Sequence, residues 1–109
     1  MKVSELSEKA GLSPINEIHD KDIDGVFISD MVSDIVAGAA ANSLLLTIQT
    51  HKNLIATANL VDVAAIIYVR DKKPAEDVVD LANRAQITLF GTELDAWKLA
   101  IKLHELGLE

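Results

Sequence analysis

The stretch that most constrains this chain runs from Leu44 to Val69. LLLTIQT (residues 44–50) and AAIIYV (64–69) read as buried strands, and HKNLIATANLVDV (51–63) between them reads as an amphipathic helix. Buried strand, helix and buried strand in that order demand a parallel βαβ unit. The polar residues Gln49, Thr50, His51 and Asn53 fall where the first strand ends and the helix starts. Open α/β sheets usually bind ligands at that position, so these four residues are the leading site candidates.

The flanking segments extend the same alternation. Val3, Leu6 and Ala10 recur at helical spacing, with Gly11 placed to close a short first helix, and SPINEI follows as an irregular or extended link. Asp24 to Ser29 alternates as a strand. MVSDIVAGAAA then carries Met31, Ile35 and Ala39 on one helical face, with Asp30 as its N-cap, until Asn42 and Ser43 break it. Beyond the central unit, RDKK makes a turn and Pro74 opens a helix running through Ala85, whose inward residues are Val78, Leu81 and Ala82. ITLF (87–90) is a further short strand. Thr92 and Asp95 match a T-x-x-D capping box before a last helix anchored by Trp97, Ile101 and Leu106. No repeat or linker divides the chain, so 1–109 is expected to form a single small α/β domain with a mostly parallel central sheet flanked by helices.

Composition excludes several functions. A net charge of −7 and a pI near 4.8 oppose binding to a nucleic-acid backbone, which needs clustered Lys and Arg. The absence of cysteine removes disulfides, thiolate nucleophiles and cysteine-ligated metal. No apolar run reaches the length of a membrane span, and MKVSELSEKAGL is not a signal peptide, so a cytoplasmic protein with no membrane partner is expected.

Local motifs are incomplete. Asp20, Asp22, Asp24 and Gly25 open like a calcium-binding EF-hand loop, but Met31 stands where the bidentate Glu belongs, and three alternating carboxylates before a strand suit a solvated turn. Ala10-Gly11-Leu12-Ser13 resembles the turn of a helix-turn-helix, yet residues 14–24 lack a cationic recognition helix. His19 and His104 have no ligand partner at metal spacing and read as surface residues. The five glycines are too dispersed for a phosphate loop, so no catalytic residue, metal site or cofactor is assigned. At the start of the central helix two readings stay open: Thr50 and His51 help bind an anion, or Thr50 is an N-cap and His51 is solvated.

From about Gly25 onward, the order of elements in LLLTIQTHKNLIATANLVDVAAIIYVRDKKPAEDVVDLANRAQITLFGTELDAWKLA resembles the DRTGG domain family. In that family an Asp-Arg pair follows the strand here written LLLTIQ, and a Thr-Gly-Gly turn follows the strand here written AAIIYV. This chain has Thr50-His51 and Val69-Arg70-Asp71 at those places, so the motif residues are not retained. Stand-alone copies of such domains are often labelled HPr kinase-related. The resemblance implies a DRTGG-like fold, association as a homodimer, and a regulatory or signalling role without catalysis.

Two functions follow. In the first, the domain senses a nucleotide or other small anionic ligand at strand ends, through Gln49, Thr50, His51 and Asn53 together with Ser29, Asp30 and Thr92. In the second, a homodimeric module docks a protein partner such as a kinase, transcription regulator or metabolic enzyme, without a small ligand.

Overall fold

The computed structural model describes residues 1–109. The elements in chain order are a 3₁₀ turn at Val3–Glu5, then α1 (Leu6–Ala10), β1 (Ser13–Pro14), β2 (Gly25–Ile28) and α2 (Val32–Gly38). They continue with β3 (Ser43–Thr47), α3 (Asn53–Val61), β4 (Ala65–Tyr68), α4 (Glu76–Arg84), β5 (Thr88–Gly91) and α5 (Ala96–Glu105). One five-stranded sheet has the order β1-β5-β4-β3-β2. Strands β2 to β5 are parallel in sequential order, and β1 is antiparallel on the β5 edge.

The expected βαβ unit is β3-α3-β4. Every residue of β3 and β4 is buried, because alternate side chains enter opposite cores. Leu44, Leu46, Ala65, Ile67 and Phe90 join Leu6, Ala10, Leu99 and Leu103 in one cluster, under α1 and α5. Leu45, Ile66, Tyr68 and Leu89 join Ile35, Leu54, Ala58, Val78 and Ala82 in the other, under α2, α3 and α4. The domain is therefore three-layered, with three helices on one face and two on the other.

Gly11 closes α1 as expected, with φ of 67°. The SPINEI link is partly a strand, and Pro14 lies on the sheet edge, where a missing amide does least harm. Asn16 continues that edge through its side chain, accepting from the Leu89 amide at 2.7 Å and donating to the Ile87 carbonyl at 2.8 Å. The N-terminal segment runs antiparallel to Lys21–Ile23, with the Val3 amide donating to the Lys21 carbonyl and the Ile23 amide to the Met1 carbonyl, each at 2.9 Å.

Several expectations are corrected. Asp30 does not cap α2: Met31 holds the N-cap position, and the Asp30 carboxylate turns to β3, where it accepts from Thr47 Oγ1 at 2.9 Å and from the Ile48 amide at 2.8 Å. Pro74 lies before α4 rather than in it, since the helix starts at Glu76 with Ala75 as N-cap. The T-x-x-D box is not formed. Asp95 itself is the N-cap of α5, accepting from the Lys98 amide at 2.8 Å, and Thr92 Oγ1 accepts from the Leu94 amide at 3.2 Å. Trp97 is 72% exposed, and Leu99 and Leu103 anchor α5 instead. His19 is half-buried rather than a surface residue, with its amide donating to Thr88 Oγ1 at 2.7 Å and its ring 3.3 Å from Asn83 Oδ1. The three aspartates of the EF-hand-like segment have separate partners: Ser4 for Asp20, Lys2 for Asp22 and Asn42 for Asp24.

Two predictions arise from these contacts. The Ser4 amide holds the Asp20 carboxyl below its usual range, and the Lys2 amide does the same for Glu5. A depressed folded-state pKa gives stability that is present above the unfolded pKa and is lost as pH falls through the folded one. Hydrogen exchange should therefore show the Lys2 and Ser4 amides protected at neutral pH and exposed below the ordinary carboxylate range, before the amides of β3 and β4 open.

The second concerns Tyr68, which is wholly buried and whose hydroxyl has no hydrogen-bond partner within the chain. Burial pushes its phenol above the usual range. Removing an unpaired buried hydroxyl while keeping the ring is neutral or stabilising, so Tyr68→Phe should leave stability unchanged or raise it by up to about 1 kcal/mol. Denaturant unfolding reads this, and a loss of more than ~1 kcal/mol would mean that the hydroxyl is bonded in solution.

Candidate functional site

Parallel strands β2 to β5 point their C-terminal ends to one edge of the sheet, and the segments after them are the natural site-forming elements. After β2 come Ser29 and Asp30, and after β3 come Gln49, Thr50, His51 and Asn53. Arg70 to Pro74 follow β4, and Thr92 to Asp95 follow β5. All seven expected site residues thus lie on this edge, in three of its four segments.

The β3–α3 segment is a hydrogen-bonded turn in which the Thr50 and Lys52 amides alone lack a partner within the chain. Thr47 Oγ1 donates to Asp30 and accepts from the Gln49 amide at 3.0 Å, Gln49 Oε1 accepts from the His51 amide at 3.0 Å, and His51 Nδ1 accepts from the Asn53 amide at 3.1 Å. The Leu54 and Ile55 amides bond to the His51 and Lys52 carbonyls at 3.1 Å each. His51 and Asn53 are exposed and Gln49 and Thr50 half-buried. Of the two readings left open for this turn, the one in which Thr50 caps α3 is not what forms: Lys52 is in the N-cap position, and His51 holds the first-turn amide. Amides already bonded inside the turn are not free to hold an anion.

The other end of the same edge is different. Helices α2, α3 and α4 follow β2, β3 and β4 onto one face, so their connections run side by side. The connection after β5 crosses to the opposite face, where α5 packs. Adjacent strands whose connections leave in opposite directions open a crevice between them, and here those strands are β4 and β5. The crevice is held at its base by backbone: the Arg70 amide donates to the Leu94 carbonyl at 2.8 Å and the Asp71 amide to the Thr92 carbonyl at 2.9 Å. Arg70 and Asp71 reach this geometry through consecutive left-handed conformations, with φ of 56° and 58°.

Two adjoining cavities occupy the crevice. The larger, of about 630 Å³, lies between the α1–β1 turn, residues 71–74 and residues 91–94, and Lys72, Lys73 and Lys102 line it. The smaller, of about 570 Å³, is lined by Arg70 and Lys98 among others. Asp71, Glu93 and Leu94 border both. Five of the chain's ten Lys and Arg thus surround the crevice, against three of its seventeen Asp and Glu, and none of the five is in an ion pair. Lys102 reaches across from α5, its Nζ 3.4 Å from where a Cβ on Gly11 would sit. Of the seven expected residues only Thr92 lines either cavity. The five cations, Arg70, Lys72, Lys73, Lys98 and Lys102, are not among the residues expected from the sequence; for the first three the RDKK segment was the available signal.

No three acidic or His side chains are grouped to hold a metal ion. No helix is long and apolar enough to cross a membrane.

No protein-family model matches the sequence, and no curated protein matches it. Among solved structures, the chain is similar to the CBS and DRTGG domains of the regulatory region of a Clostridium perfringens pyrophosphatase, complexed with an activator, diadenosine tetraphosphate. The TM-score is 0.73 at 14% identity, and the match covers 93% of this chain and 45% of that one. The chain spans less than half the length of that structure. The likeness establishes a CBS/DRTGG-like α/β fold, in agreement with the architecture expected from the sequence.

Proposed function

We propose that this domain is a regulatory or sensing module that carries out no turnover and binds a nucleotide or other small anionic ligand at the C-terminal edge of its sheet. The observation that carries the reading is the crevice between β4 and β5, where five cations without ion-pair partners gather on a chain of net charge −7. Around the larger cavity three cations face two carboxylates, an excess of positive charge that attracts an anion, and a volume of several hundred Å³ suits a small ligand. The similar pyrophosphatase region is regulatory and was bound to a nucleotide activator, which supports the same class of role here. The Gln49–Asn53 turn with Ser29 and Asp30 is the rival position on the same edge, and Thr92 belongs to the crevice.

Thermal unfolding against adenine and guanine nucleotides, phosphorylated metabolites and phosphate tests this directly, because a ligand that prefers the folded state raises its apparent stability. A saturable rise with a nucleotide or phosphorylated compound supports the sensor. No rise across the panel overturns it.

A second reading has its own observation. Ile28, Met31, Val32 and Val36 are 51%, 64%, 37% and 48% exposed along the free edge strand β2 and the adjacent α2. Exposed apolar side chains beside an unpaired strand favour association, here with a second copy of the chain. Sedimentation equilibrium of the wild type and of Met31→Lys with Val36→Lys tests it: a dimer broken by the substitutions supports the module, and a monomer at all concentrations contradicts it.

A further inference from the structure

We infer that the larger cavity takes the phosphate ester of a polyhydroxyl compound such as a sugar, with the phosphate among Lys72, Lys73 and Lys102 and the hydroxyls on Asp71 and Glu93, rather than a bare anion. The inference rests on the reading that the crevice binds an anion, and it deepens that reading by naming the ligand's chemistry. Its basis is where the two signs of charge lie. Lys72, Lys73 and Lys102 line the larger cavity alone, whereas Asp71 and Glu93 stand on its border with the smaller one. Beyond that border Asp95 adds a third carboxylate against Arg70 and Lys98. The excess of charge is therefore positive in the larger cavity and negative in the smaller, so an anion is drawn to the lysines and repelled at the border.

The groups on the border suit hydrogen-bond donors. An ionised carboxylate only accepts hydrogen bonds, and an ammonium only donates them. A bare anion satisfies the three lysines but gains nothing from Asp71 and Glu93, neither of which is in an ion pair. Hydroxyls carried beside the phosphate make partners of both carboxylates through charge-assisted hydrogen bonds. Backbone contacts fix the border: the Asp71 amide donates to the Thr92 carbonyl at 2.9 Å, and the Leu94 amide donates to Thr92 Oγ1 at 3.2 Å. A volume of about 630 Å³ is that of an organic ligand, and Ile15 and Leu94 give the wall apolar surface for a carbon skeleton.

Calorimetric titration of the full chain with methyl phosphate, ribose 5-phosphate and AMP, in metal-free buffer, tests the inference with wild type and with Asp71→Asn combined with Glu93→Ala. Both residues are exposed, and Asn tolerates the left-handed backbone at position 71, so the fold is kept. In the wild type, ribose 5-phosphate should bind at least about tenfold tighter than methyl phosphate, which lacks the hydroxyls. In the variant, methyl phosphate should bind as tightly or more tightly, and the advantage of ribose 5-phosphate should fall below about threefold. AMP at or above the affinity of ribose 5-phosphate marks a nucleoside-borne sugar phosphate, and weaker AMP marks a free one; both support the inference. Equal binding of methyl phosphate and ribose 5-phosphate by the wild type, or an unchanged ratio in the variant, overturns it while leaving an anion-binding crevice in place. Failure of all three compounds while ATP binds also overturns it, and failure of ATP as well overturns the crevice reading itself.

Discussion

Replacing Leu103 with Ala should lower the stability of the domain by about 2–5 kcal/mol, while Trp97→Ala, the larger truncation on the same helix, should change it by less than ~1 kcal/mol. Leu103 is fully buried in the cluster that joins α5 to Leu6, Leu12, Ile67 and Phe90, and its carbonyl closes the helix by accepting from the Leu108 amide at 3.1 Å. Gly107, with φ of 98°, makes that closure, and Leu108 packs back into the same cluster. Truncation removes the transfer free energy of the side chain and leaves a void bordered by rigid strands. Trp97 is 72% exposed, so little apolar area is lost with it. Denaturant unfolding of both variants reads the difference. Equal losses would place the buried face of α5 elsewhere.

Charge reversal in the crevice should have the largest effect on binding. Lys73→Glu with Lys102→Glu replaces two of the three cations of the larger cavity with carboxylates, beside the existing Asp71 and Glu93. Each reversal removes an attraction and adds a repulsion, and a loss of about 3 kcal/mol or more corresponds to a hundredfold or greater weakening of an anionic nucleotide. The matched control is Lys52→Glu with Arg84→Glu, which changes net charge equally but lies outside both cavities. ATP titration followed by thermal unfolding should keep the control within about threefold of wild type, because exposed charges far from the ligand are screened by salt. Lys52 adjoins the Gln49–Asn53 turn, so a control that loses binding as fully as the crevice variant would move the site there.

The contrast between these variants also marks what the sequence makes legible. Strands β3 and β4 were evident because burial on both faces needs an unbroken apolar run, which periodicity alone detects. The buried face of α5 was not. Its segment carries apolar residues at Ala96, Trp97, Leu99, Ala100, Ile101 and Leu103, on more than one side of the helix, and the sheet rather than the period selects Leu99 and Leu103. Capping failed for a related reason: Asp30 meets the N-cap rule in sequence, but β3 lies close enough to offer Thr47 and the Ile48 amide instead. The candidate site was half legible. Sequence order places polar residues at the C-terminal edge of a parallel sheet, yet which pair of strand ends opens depends on the face to which each following helix packs. That choice is made at β5, far along the chain from the βαβ unit, and it gathers Lys72 and Lys73 with Lys98 and Lys102 only in three dimensions.

The central claim is that an anionic ligand enters between β4 and β5, and the most direct test is a residue-resolved titration of isotopically labelled protein with ATP, following backbone amide resonances. Saturable shifts are expected at Arg70 to Lys73 and Thr92 to Lys98, with Gly11 also responding across the larger cavity. Shifts confined to Gln49 to Asn53, or none at saturating nucleotide, would contradict it.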